Sequence, residues 1–359
     1  MNGHLALADR LSGAALAAIG TINAFFALSF LTILAIAAQS LPAHSAGACD
    51  GENIIAELER SDPAALAALQ AEAAATPNGK TIFYRVENAA GDPSWLFGTI
   101  HMTDPRVLNL PDPVRSAFEA AEVVAIETTD ILDPDKTAEA MFSRPELTMF
   151  TDGTRISDFL TETEREMVKQ GLADRGIQMP LVERMKPWLL VAMVALPECE
   201  MERKNAGGEI LDADLAREAQ EAGKELIGLE TMVEQLDAMA SLPLDFHVRG
   251  LVDTIALGDR MADVNETMIE LYEDGQIGMI FPMLRHVSEQ TGLDGGLETH
   301  MAEFEEKLIN IRNDNMLERS RALIDKGNAF IAVGALHLPG EKGLVSLFTE
   351  AGYKVTAGN

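Results

Sequence analysis

A chain of 359 residues, 47% hydrophobic and 24% charged, has the composition of a folded globular protein and the length to bury a full core. Its formal net charge of -29 makes a surface that repels phosphates and anionic headgroups, so no nucleic-acid partner is expected. From Leu11 to Cys49 there is no Asp, Glu, Lys or Arg, and LAAIGTINAFFALSFLTILAIAA exceeds the length needed to span a bilayer. Residues 1–48 therefore read as a signal peptide, with Ala46-Gly47-Ala48 fitting the small-x-small cleavage rule, or as a retained N-terminal membrane anchor. Either way residues 49–359 are expected to be exported, to the periplasm or cell envelope. The two cysteines, Cys49 and Cys199, pair most simply as a disulfide in such a compartment. A lipidated Cys49 is the competing reading.

SDPAALAALQAEAAATPNGK predicts a helix begun by Pro63 and stopped by Pro77, Asn78 and Gly79. TIFYRVE and SWLFGTI, joined by NAAGDP, predict a hairpin that leaves His101 just past a strand end. PDPVRSAFEAA reads as a helix, and EVVAIET as a strand buried on both faces that ends at Glu127. Helical periodicity dominates from about 130 to 223, KELIGLET predicts a second buried strand ending at Glu230, and further helices fill about 233–326. The last of these stops at Gly327. NAFIAVGALH gives an apolar strand running into Gly334 and His337, and a helix from Glu341 to Ala351 and a strand from Tyr353 to Thr356 close the chain. The expected fold is mixed α/β, a central sheet built from the N- and C-terminal segments with a large helical middle region.

The chain has no His-Glu-x-x-His, Gly-x-Ser-x-Gly, Walker or Gly-x-Gly-x-x-Gly signature. What recurs is Gly98-Thr99-Ile100-His101 and Gly334-Ala335-Leu336-His337, each after an apolar strand. Carboxyl ends of strands are where α/β sheets bind ligands, which puts His101, His337, Glu127 and Glu230 on one reactive edge. Each glycine is expected to supply a positive φ that turns its histidine back over that edge. Imidazoles and carboxylates of this kind suit zinc, manganese or cobalt and a metal-bound water whose pKa falls to about 7. His247, His286 and His300 have no partner at metal spacing and read as ordinary packing or surface residues. Met261, Met268, Met279 and Met283 read as core, and Trp188 as a helix anchor.

The segments WLFGTIHMTDPRV, VVAIET, GKELIGLETMVEQL and AFIAVGALHLPGEKGLVSLFTEAGYKV together resemble the TraB/GumN/Tiki family, in the family's order, across about 81–355. The resemblance implies a fold akin to that of the erythromycin esterase and ChaN-like proteins, and dependence on manganese or cobalt as in the animal Tiki metalloproteases. It assigns His101 and His337 to paired metal-binding motifs and Glu127 to the acidic catalytic position. Arg312, beside Asn313, becomes a candidate binder of a carboxylate or developing oxyanion, and Glu230 falls in the family's Gly-Leu-Glu. The expected function is a metal-dependent hydrolase acting on a peptide or protein. An esterase-type hydrolase and a non-catalytic envelope protein that captures a peptide or haem are the alternatives.

Overall fold

The computed structural model describes residues 49–290 and 297–358, without the side chains of 297–300. The apolar segment read as signal or anchor lies outside the described residues, as does the side chain of His300. Among the described residues no helix is long and apolar enough to cross a membrane.

Six strands form one sheet: β1 (Phe83–Glu87), β2 (Pro93–Thr99), β3 (Val123–Ile126), β4 (Glu225–Gly228), β5 (Ala329–Gly334) and β6 (Lys354–Ala357), in the order β4-β3-β5-β2-β1-β6. The β4, β3, β5 and β2 strands run parallel, while β1 pairs antiparallel with both β2 and β6. The β1–β2 turn is set by Asn88, whose Oδ1 accepts from the N–H groups of Ala90 and Asp92 at 3.0 and 2.9 Å, with Gly91 at φ +88°. The mixed α/β class, the sheet drawn from both ends of the chain and the helical middle are as the sequence indicated.

β5 is apolar throughout because both faces of the sheet are covered. Phe330 and Ala332 join Phe97, Phe118, Val124 and Leu215 on one side, whereas Ile331 and Val333 join Leu96, Met316, Ile324 and Phe348 on the other. The helical middle keeps a core of its own. Leu172 of helix Glu162–Asp174, Leu190 of Pro187–Val194 and Leu251 of Leu244–Leu257 meet there, and the first helix opens on a Thr161/Glu164 capping box.

KELIGLET does not form a strand buried on both faces: β4 is the sheet's outer strand, half-buried to exposed, and ends at Gly228. Apolar content alone does not distinguish an edge strand covered on one flank from an interior one. The final helix also begins later than expected, at Leu344, with Gly343 as its N-cap.

Cys49 and Cys199 form a disulfide with Cα atoms 5.5 Å apart, tying the start of the described chain to helix Glu198–Asn205. Glu200, on the same helix and fully buried, accepts from Thr103 N–H at 3.1 Å and Thr103 Oγ1 at 2.7 Å. Arg203 then reaches Asp104 at 3.0 Å, and Arg106 joins Asp104 to Glu266. The disulfide-bonded helix therefore holds the loop that directly follows His101.

Candidate active site

Four neighbouring parallel strands each deliver one reactive group at their carboxyl ends. Glu230 follows β4, Glu127 follows β3, His337 follows β5 and His101 follows β2. Backbone pairing continues past the strands, with Glu230 N–H donating to the Glu127 carbonyl at 2.7 Å.

The two motif glycines act differently from expectation. Neither Gly98 nor Gly334 has positive φ, and Gly334 sits at φ -50°. Their contribution is space. A Cβ on Gly98 would stand 2.9 Å from Ala335 Cα of the other motif, and a Cβ on Gly334 would stand 3.0 Å from Glu127 Oε1. Glycine at these positions lets the strand ends and the carboxylate approach one another.

Glu127 is buried and accepts three hydrogen bonds. Its Oε1 accepts from Gly334 N–H at 2.7 Å, and its Oε2 accepts from Arg312 Nη2 at 2.7 Å and Gln235 Nε2 at 2.9 Å. Arg312 comes from helix Ile311–Lys326, directly after a π-helical turn at Glu305–Asn310. It also grips Glu230 through Nε at 3.0 Å and Nη2 at 2.7 Å. Burial opposes the charge on Glu127, but His337, Arg312, His101 and the Gly334 N–H outweigh it and hold the carboxyl at about 2. His337 is itself pushed down to about 4 by burial and is neutral near pH 7, so at that pH Arg312 is the buried cation that keeps Glu127 ionised.

The tautomer of His337 follows from its neighbour. Asn313 donates its amide hydrogens to the carbonyls of His337 and Lys342 at 3.2 and 2.9 Å, which leaves Asn313 Oδ1 as the acceptor facing His337 Nδ1 at 2.7 Å. Nδ1 therefore carries the proton. The Nε2 lone pair lies 3.7 Å from Glu127 Oε1. Two electron-pair donors facing each other across that gap fit a cation, since bonds of about 2.0–2.2 Å from one ion reach both.

His101 is the opposite case. Its Nδ1 lies 2.8 Å from Asp212 Oδ2, and Asp212 Oδ1 accepts from Thr99 Oγ1 at 2.6 Å. The Asp212 charge raises the His101 pKa to about 9. The His101 side chain is 58% exposed whereas Asp212 is 6% exposed, so the ring stands at the mouth of the site on a buried carboxylate. The Asp212–His101 and Asn313–His337 contacts are the arrangement in which a hydrogen-bond acceptor fixes one imidazole nitrogen and frees the other. Among the described residues, no group of three or more His, Cys, Asp or Glu side chains stands close enough together to hold a metal ion.

A cleft of 280 Å³ opens over Glu127, lined by His101, Asp212 and Gln235 together with Ile126, Thr128, Ile131, Ile210 and Met232. Asp212, Thr99 and Gln235 were not singled out from the sequence. One signal for Asp212 exists: it shares a helical stripe with buried Leu215, Ala216 and Ala219, where a carboxylate is out of place unless it has a partner. Gln235 has no such mark. His247 and His286 are apart from this site. Buried His247 meets the Met239 carbonyl at 3.1 Å and half-buried His286 meets Gln290 at 2.9 Å. Trp188 donates to the Leu147 carbonyl at 3.1 Å, and Met261, Met279 and Met283 are core.

Fold and site together define an α/β protein with two histidines, two glutamates and an arginine on the carboxyl edge of a largely parallel sheet. The TraB/PrgY/gumN family matches residues 82–357, and the chain belongs to that family. It is 26% identical over 309 residues to the metalloprotease TIKI1 of Homo sapiens, covering 73% of this chain and 59% of that protein. It is 26% identical to TIKI1 of Xenopus tropicalis over 308 residues, covering 73% and 59%, and 24% identical to the metalloprotease TIKI2 of Danio rerio over 308 residues, covering 73% and 58%. The chain thus spans about three-fifths of the length of these curated relatives. No solved structure matches it.

Proposed function

We propose that the protein is an exported, metal-dependent hydrolase that cleaves peptide bonds, with its reactive centre at the carboxyl ends of β3, β5 and β2. The observation that carries this reading is the neutral His337 Nε2 facing the ionised Glu127 Oε1 at 3.7 Å. His337 and Glu127 would hold the divalent ion, manganese, cobalt or zinc, and His101, at the mouth of the cleft, would have to move toward them to serve as a third donor. The ion, when bound, would supply a Lewis acid and lower the pKa of a water to about 7. The family's metalloprotease relatives support the same chemistry.

The chain's own groups have separate tasks. Arg312 keeps Glu127 ionised and fixed through a charge-assisted bond, and Glu230 fixes Arg312 in turn. Gly334 N–H and Gln235 Nε2 set the carboxylate's orientation. Asp212 and Asn313 accept the Nδ1 protons of His101 and His337, so that both Nε2 atoms present lone pairs once His101 has lost its second proton.

The test is metal analysis of the purified protein, followed by peptide-library cleavage with and without manganese, cobalt and zinc. Cleavage should require one of the three, stop with chelator, and be lost in His337→Ala and Glu127→Gln. Failure to cleave with any of the ions, or cleavage that survives chelation and His337→Ala, overturns the proposal.

A further inference from the structure

The cleft beside Glu127 has a polar floor and apolar walls. Its walls come from three separate segments: Ile131 in the 3-10 turn Thr129–Leu132 after β3, Ile210 at the cap of helix Leu211–Glu221, and Met232 at the start of helix Met232–Ala240. All three side chains are half-buried, so each keeps apolar surface that a ligand can still cover.

The charges at the floor are already engaged. Glu127 is held by Arg312, Gln235 and Gly334, and Asp212 by His101 and Thr99. A Lys or Arg side chain entering the cleft must compete with Arg312 and His101 for carboxylates that already carry donors, and an Asp or Glu side chain meets those carboxylates and a chain of net charge -29. An ionised group there would give up its hydration for at most a shared partner. Selectivity therefore falls to the walls, where burying apolar surface is favourable. The volume, 280 Å³, lies at the bottom of the roughly 300–1,000 Å³ range of whole-ligand pockets, and so suits one side chain rather than a macrocycle such as haem.

We infer that this cleft is a specificity subsite for a single large apolar side chain, Leu, Met or Phe, on a peptide lying across the carboxyl edge of the sheet, with Ile131, Ile210 and Met232 as the specificity-determining residues. The inference rests on the hydrolase reading for its kinetic arm alone, because selective binding is measured without turnover.

In the kinetic arm, the full-length chain in mild detergent is given a fixed-sequence decapeptide series varied at one position at a time. At one position beside the cut, kcat/KM should be at least tenfold higher for Leu or Phe than for Asp or Lys. Ile210→Trp should narrow the cleft and shift the preference at least tenfold toward Gly and Ala. Met232→Glu, at a partly exposed helix start where the fold tolerates charge, should give at least a tenfold gain for Lys at the same position. A flat profile in the parent protein, or a preference unmoved by both substitutions, overturns the subsite. In the binding arm, fluorescence anisotropy measures the same peptides on His337→Ala in chelator, with at least tenfold tighter binding expected for Leu over Asp and Lys. If the parent protein cleaves nothing with any of the three ions but binding keeps this order and Ile210→Trp abolishes it, the subsite stands and the hydrolase reading falls. If cleavage occurs without side-chain preference, the hydrolase reading stands and the subsite falls.

Discussion

Gly334 donates its backbone N–H to Glu127 Oε1 at 2.7 Å across 207 positions of sequence, so the second Gly-x-x-His motif and the acid at the end of β3 form one hydrogen-bonded unit. A Cβ at 334 would stand 3.0 Å from that oxygen. Gly334→Ala should move the carboxylate off its position, lower kcat/KM at least tenfold and cost roughly 1–3 kcal/mol of stability, the scale of a disturbed buried hydrogen bond. Parallel activity and urea-denaturation measurements check it. Parent-like activity would show that Glu127 does not depend on this contact.

Among the described residues Arg312 is the cation that joins Glu127 and Glu230, and its side chain is 15% exposed. Burial opposes its charge, and the bonds and charges of Glu230 and Glu127 outweigh that and raise its pKa. Arg312→Ala leaves two buried carboxylates without their partner and should destabilise by about 3–5 kcal/mol. Arg312→Lys should restore only part of this, because one ammonium cannot reproduce the forked contact. Chemical denaturation measures both, and a loss below 1 kcal/mol for the alanine variant would refute the assigned role.

Acid should destabilise the chelator-treated protein in two steps. His337 has a folded pKa of about 4 against an ordinary 6.5, so its contribution is complete above pH 6.5 and is lost as the pH falls toward 4. Buried His247, also held at about 4, shares that window. Glu127, at about 2 against 4.5, adds a second loss from pH 4.5 downward. His101, raised to about 9, acts in the opposite sense: its contribution is present below pH 6.5 and lost as the pH rises to 9, a shallow limb because its ring is largely exposed. Thermal midpoints between pH 3 and 9 should show these limbs. His337→Gln should reduce the slope between pH 6.5 and 4, Asp212→Asn should remove the alkaline limb, and unchanged slopes in both would contradict the assignment.

Reduction of Cys49–Cys199, a crosslink spanning 150 positions, should lower stability by about 3 to 5 kcal/mol under the loop-entropy description. Glu200, next to Cys199, holds the backbone and hydroxyl of Thr103 two residues beyond His101, so reduction should also loosen that loop. Non-reducing mass spectrometry, with hydrogen exchange at residues 102–106 before and after reduction, reads both effects. A diacylglycerol on Cys49, or protection at 102–106 unchanged by reduction, would count against this arrangement.

Local chemistry made much of the architecture legible. The alternation in TIFYRVE, the turn residues of NAAGDP and the apolar run of AFIAV each specify their element within a short window, and β1, β2 and β5 lie where those windows put them. The repeated Gly-x-x-His, the acids at Glu127 and Glu230 and the even cysteine pair were visible in the same way. What short windows lack is the identity of the neighbour. The edge position of β4, the pairing of Asp212 with His101, the bond from Gln235 to Glu127 and the tautomer of His337 each depend on residues far away in the chain.

The glycines of the two motifs mark the boundary most sharply. The sequence places glycine at 98 and 334, after apolar strands and three residues before a histidine, and points these strand ends toward one reactive edge. Only the tertiary structure decided why: strand order β3-β5-β2 brings Ala335 against Gly98 and Glu127 against Gly334, so a missing Cβ serves close approach rather than a positive φ. The physical reason is that backbone dihedrals can be guessed from a residue and its immediate neighbours, whereas the space left by an absent side chain has meaning only once distant segments pack against it.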